Sequence, residues 1–153
     1  MYKRLAVTVA LAAAILSPGA LAAKAPPKKV KVTTVSATMT GKAVPTKSSP
    51  GKGSPTGSGR ITIKLDPNAG KACWTMTVKN LDKTLSAHVH KGKAGQSGPV
   101  TIPLGAVFVK KGCVSLGAAV LLAVAKSPKL YYVDVHTRKL VNGAIRGQLR
   151  AGA

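Results

Sequence analysis

All the histidines of the chain fall in two short segments. His88 and His90 stand in Leu85-Ser86-Ala87-His88-Val89-His90, and His136 closes Tyr132-Val133-Asp134-Val135-His136. In both segments apolar and polar residues alternate with a period of two, the pattern of a half-buried strand. His88 and His90 therefore share the face opposite Ala87 and Val89. His136 lies opposite Val133 and Val135. Two imidazoles one residue apart on a strand sit about 7 Å from each other along the backbone, close enough to converge on one ion. His136 supplies a third ligand if its strand lies nearby, and water or Asp134 completes the set. Neutral imidazoles suit copper or zinc. The competing use of the same rings is structural: each hydrogen-bonds the glycine-rich loop 91–99 or the turn 142–147 and holds its shape. Arg146, with its fork of five donors, serves either as a clamp on loop carbonyls or as an anion-binding group, and Gln148 and Lys91 are further candidate binding residues.

Other chemistry has little to work with. The chain carries three acidic residues, Asp66, Asp82 and Asp134, and no glutamate. Paired-carboxylate catalysis is therefore nearly excluded. Nothing resembles a nucleophile elbow, a phosphate-binding glycine loop or a His-Glu-x-x-His zinc helix. The expectation is a protein that is not an enzyme, with metal-dependent redox chemistry as the one route to activity.

The elements that must position the histidines follow from patterning. Lys3 and Arg4, an apolar run from Leu5 to Leu16 and the Ala20-Leu21-Ala22 end have the form of a secretory signal peptide over residues 1–22, cleaved after Ala22 or Ala23. The apolar run is shorter than the roughly 20 residues of a membrane span, and no second stretch is long enough, so no membrane span is expected after cleavage. Residues 23–59 are rich in Pro, Gly, Ser and Thr, basic and free of acid, and read as a disordered linker. Within them Val30-Lys31-Val32-Thr33-Thr34-Val35 alternates, so a first strand on the domain edge is an open alternative.

The domain proper is expected over 60–153. Ile61, Ile63 and Leu65 share one strand face, Asp66-Pro67-Asn68-Ala69-Gly70 is a turn, and Trp74, Met76 and Val78 share the face of a second strand. Residues 100–104 alternate again, with Pro103 marking an edge or strand end. Ser115 is a candidate cap for a short helix reaching Ala125 and closed by Ser127-Pro128. Strands follow at 130–137 and 144–150. This spacing of short strands and turns predicts an all-β fold: a single β-sandwich domain, immunoglobulin-like or superoxide-dismutase-like, with one short helix.

Cys73 and Cys113 are an even pair in a chain that reads as exported, and a disulfide is the natural expectation. Cys73 lies opposite Trp74, which puts the bridge on the outside of the sheet. The net charge is +21, from 24 basic against three acidic residues. Such a field attracts anionic cell-wall or envelope polymers. Nucleic acid is a poorer partner, because aromatic residues are few and no nucleic-acid motif is present.

Two blocks carry a resemblance. Ala87-His88-Val89-His90-Lys91-Gly92 with Gly95 and Gly98-Pro99-Val100, followed by Tyr132-Val133-Asp134-Val135-His136-Thr137 and Asn142-Gly143-Ala144-Ile145-Arg146-Gly147-Gln148-Leu149, resemble the CHRD domain, named for chordin and found in many bacterial secreted proteins. The likeness runs from about Arg60 to the C-terminus. It implies a secreted or extracytoplasmic β-rich domain with no established catalytic activity, and it alone places the two histidine strands side by side. A strand His-x-His on a disulfide-bearing sandwich is also similar to the copper–zinc superoxide dismutases. Those enzymes need more histidines than this chain owns, a bridging one included, so no dismutase is read here.

Overall fold

The structure is a computed structural model, and it describes residues 28–45 and 53–152. The expected leader, its cleavage site and the first part of the expected linker lie outside the described residues. The strands are β1 (Thr33–Thr40), β2 (Ser58–Asp66), β3 (Lys71–Lys79), β4 (Thr84–Lys91), β5 (Val100–Pro103), β6 (Lys111–Ser115), β7 (Tyr131–Thr137), β8 (Ile145–Gln148) and β9 (Arg150–Ala151). They pair antiparallel in the order β5-β4-β7-β8-β1-β2-β3-β6, with β9 also beside β1.

The sheet folds over, so its two halves share a single core. Val35, Met39, Ile61, Ile63, Trp74 and Met76 come from one half, and Val89, Ile102, Val133, Val135 and Ile145 from the other. Each is the inward member of an alternating pair, and burying such side chains is the main force holding the halves together. Residues 104–110 pass between the two outer edges. Phe108 N–H donates to Leu85 O on β4, and Met76 N–H on β3 donates to Lys110 O. The sheet is thus nearly closed. The all-β fold with one short helix matches the expectation, and Pro103 ends β5, which is an edge strand where its missing N–H costs nothing.

Two expectations change. The reading of 23–59 as linker fails for Thr33–Thr40: this segment is β1, the strand that the alternation from Val30 to Val35 allowed, but it lies in the middle of the sheet between β8 and β2 and not on the edge. Its inward residues are Val35, Ala37 and Met39, all buried. Its outward residues are Thr and Ser, and these made the segment look like linker. Ser58 and Gly59 also belong to β2. The helix α1 (Ala118–Lys126) is capped not by Ser115, which ends β6, but by Gly117, and no side chain supplies a cap. Burial of Leu121 and Val124 holds α1 instead, and Ser127 closes it by donating its N–H to Ala123 O.

Cys73 and Cys113 face each other in the β3–β6 register and are joined by a disulfide. Cys113 is exposed while Trp74 beside Cys73 is buried, so the bridge lies on the outer face. It clips the edge strand β6 to β3.

Candidate metal centre

The outer face of β4, β7 and β8 is a small grid set by strand register. His88 is opposite Asp134 on β7, which is opposite Arg146 on β8. His90 is opposite Tyr132, which is opposite Gln148, and Ser86 is opposite His136. Alternation alone aims all these side chains away from the core. The face is nevertheless not open. Loop 91–99 and the turn 138–143 fold over it, and β7 is buried from Tyr131 to Val135 on both faces.

Loop 91–99 is tied down by the grid beneath it. Arg146, 3% exposed, donates from Nη2 to the carbonyls of Lys93 at 2.9 Å and Gln96 at 2.7 Å. Gln148 Nε2 donates to the carbonyls of Gly92, Lys129 and Tyr131. Tyr132 is sandwiched: the His90 ring stacks on one side at 4.9 Å and 6°, and the Arg146 guanidinium lies 3.3 Å from its ring centroid. Gly98 N–H donates to the Tyr132 hydroxyl. A Cβ on Gly98 would run into the Lys91 carbonyl oxygen, so only glycine fits there. Arg146 and Gln148 thus use their donors inside the molecule as clamps. The side chain of Lys91 is exposed, and its backbone N–H closes the loop neck on Pro99 O. A register shift between Val89 and His90 against β5 lies next to the site.

His88, His90, His136 and Asp134 come together, with one potential ligand atom from each within 4.8 Å of all the others. Asp134 Oδ1 is the hub. It lies 3.2 Å from His90 Nε2, 3.2 Å from His136 Nε2 and 3.9 Å from His88 Nδ1. Donor atoms that share a tetrahedral ion at bonds of about 2.0–2.1 Å are themselves about 3.3 Å apart, so two of the three distances to Asp134 Oδ1 already have the required length.

The protons tell more than the distances. His90 Nδ1 is 2.9 Å from Gly98 O, and His136 Nδ1 is 2.8 Å from Val141 O. A carbonyl only accepts, so both Nδ1 atoms carry hydrogen. In a neutral ring each Nε2 then presents a bare lone pair to Asp134, which is itself an acceptor. Such an arrangement is repulsive unless a proton or a metal cation lies between them. His90 Nε2 is close to the carboxylate without hydrogen-bond alignment, and it and His88 Nδ1 are buried with no hydrogen-bond partner. Backbone carbonyls on Nδ1 with Nε2 turned inward are the usual outer support of metal-ligating histidines.

The charges respond accordingly. Burial works against ionising Asp134, but the hydrogen bond from His136 and the close approach of the His90 ring hold it down at about 2. His136 is raised, chiefly by its hydrogen bond to Asp134. Burial opposes the charged form of His90, yet the interaction with Asp134 outweighs it and the group is raised. His88 is lowered, because burial dominates over its more distant Asp134. A cleft of about 230 Å³ reaches the group between Gly98 and the turn 141–143, with Val44 and Pro45 on its third side. That space admits an ion and its waters.

Sequence patterning named the three histidines and held Asp134 only as an optional fourth ligand. It missed Tyr132 as the packing post of His90; the expected bonds from the rings to loop 91–99 and to the turn after Val141 are made by His90 and His136, although the carbonyls of Gly98 and Val141 were not singled out. The parity of Tyr132 with Asp134 and His136 was the available signal for the first, and backbone carbonyls leave none.

The family model of the CHRD domain matches residues 35–149. The chain belongs to the CHRD domain family, and the match begins inside β1 rather than near Arg60. Neither the curated proteins nor the solved structures contain a significant match to the chain. Among the described residues no helix is long and apolar enough to cross a membrane.

Proposed function

We propose that this CHRD domain is a non-enzymatic, extracytoplasmic binding module whose ligand is a divalent transition-metal ion, copper or zinc. Family membership and the disulfide are compatible with life outside the cytoplasm. His90 Nε2, His136 Nε2, His88 Nδ1 and Asp134 Oδ1 are the ligands. The observation that carries the reading is the aim of the rings: two Nδ1 atoms lie against carbonyls, so two Nε2 atoms turn onto an ionised carboxylate, where a proton or a cation must lie between them. Imidazole and carboxylate ligands suit Cu²⁺ and Zn²⁺, with softer-ligand metals disfavoured by the lack of thiolate.

Calorimetric titration of chelator-treated protein tests this. One Cu²⁺ or Zn²⁺ should bind per chain at micromolar protein. His88→Ala and His136→Ala should each weaken binding at least tenfold, and affinity should fall with pH as protons compete for the rings. Absence of binding by the parent, or equal binding by all three proteins, ends the reading. Lower thermal stability of the variants with unchanged binding would mean that the rings serve only as posts for the loops.

A further inference from the structure

The outer face of the other half of the sheet, beyond β8, carries a second patterned surface. The outward residues of β9, β1, β2, β3 and β6 line up in one row through the register Arg150–Ser36–Thr62–Thr75–Lys111. A cation stands at each end and three hydroxyls lie between. Four strand spacings of about 4.8 Å put the ends about 19 Å apart. Along β2, Arg60 and Lys64 flank Thr62 on the same face, two residues to either side. All of these side chains are exposed except Ser36, which is half-buried and lines a depression shared with Arg150.

From this we infer that the outer face of β9-β1-β2-β3-β6 docks an acidic polysaccharide. Charge complementarity argues for an anion. The chain has three carboxylates in all; Asp134 faces the histidines, and Asp66, at the rim of this face, accepts the amide N–H groups of Asn68 and Ala69. Among the described residues no Lys or Arg forms an ion pair; Lys64 feels the Asp66 carboxylate two residues along its strand, and Arg60, Lys111 and Arg150 are in no ion pair. The hydroxyl row argues for a sugar chain: Ser36, Thr62 and Thr75 both donate and accept, as a polyol does. The row and its flanks contain no aromatic side chain on which a nucleic-acid base could stack. Cations separated by hydroxyls suit a flexible polymer with spaced charges better than they suit a single small anion.

The test uses the full mature chain and three immobilised probes: polygalacturonate, neutral dextran and single-stranded DNA. Binding to polygalacturonate should be saturable, should weaken as salt rises, and should exceed binding to DNA. The triple variant Arg60→Gln, Lys64→Gln, Lys111→Gln should lose at least tenfold in affinity. The equally charge-reduced triple Lys83→Gln, Lys126→Gln, Lys139→Gln, exposed and away from this face, should lose less than twofold. Equal loss in both triples would show that net charge alone drives binding and would overturn the proposal. So would DNA binding as tight as polygalacturonate. The substituted side chains are all exposed, so matched melting temperatures will show that the fold is intact. Metal-stripped and metal-loaded protein should behave alike, which keeps this result separate from the metal reading.

Discussion

At the scale of single residues the centre turns on Asp134. Its folded value of about 2 lies below the usual 3.9 or so of an unfolded aspartate. Its interactions therefore stabilise the metal-free fold fully above about pH 4, and that contribution disappears as pH falls towards 2. His90 and His136 are shifted the other way. Their contribution is complete below about 6.5 and is lost as pH rises through their raised values. These are one set of contacts viewed from two ends, so they are counted once. His88, lowered by burial, works against them on the acid side. Chelator-treated protein should accordingly be more stable to urea near pH 5.5 than at pH 8. Asp134→Asn should flatten that difference and cost about 1–3 kcal/mol near pH 5.5 by leaving buried imidazolium without its counter-charge. Equal stability of the parent at the two pH values would refute the account of the raised His90 and His136 by their contacts with Asp134.

At the scale of elements, the loop over the site and the strand at the edge depend on different devices. Loop 91–99 is held by donors beneath it and by a backbone approach at Gly98 that tolerates no Cβ. Gly98→Ala should displace the loop and remove the Gly98 O support of His90. Metal affinity should drop at least tenfold while the urea midpoint moves little, and an unchanged titration would show that the carbonyl does not orient the ring. Strand β6 instead relies on the Cys73–Cys113 bond across its register with β3. Closing a loop of about 40 residues is worth about 4 kcal/mol in the chain-entropy account, so Cys113→Ser should cost about 2–4 kcal/mol. Amides of β6 should lose hydrogen-exchange protection before those of β2. Undiminished stability in the variant would mean that the edge needs no clip. Much of this level could be read from the sequence, because a period of two reports which way a side chain points. The helix cap could not: Ser115 is a good capping type, but its place at the end of β6 is decided by pairing with Lys71.

For the whole molecule, what the sequence concealed is the extent and central place of β1. Its hydroxyl-rich outer face and the neighbouring Pro and Gly residues have the composition of a linker, whereas Val35, Ala37 and Met39 are buried in the core. Local composition reports how much a segment can bury, but its position in the sheet is decided by pairing with residues far along the chain. Convergence of the histidines had the same character, since alternation aims each ring outward and only the topology β4-β7-β8 brings the rings together. The central place of β1 has a consequence for truncation. Val30 is tied to the β2–β3 turn by reciprocal hydrogen bonds with the Asn68 side chain, and β1 follows at Thr33. A chain beginning at Val30 should therefore fold with a single cooperative urea transition and the same midpoint as one beginning at Lys24. A chain beginning at Gly41 loses the strand that joins β8 to β2, along with the partner of β9. Its two half-sheets would expose Ile61, Ile63 and Ile145 to water, a cost of about 1.5–3 kcal/mol for each fully exposed side chain. That sum, about 4.5–9 kcal/mol, is comparable to the roughly 5–15 kcal/mol a domain holds in reserve, so cooperative folding should be lost. Dispersed amide resonances and a cooperative transition in the chain beginning at Gly41 would show that β1 is dispensable after all.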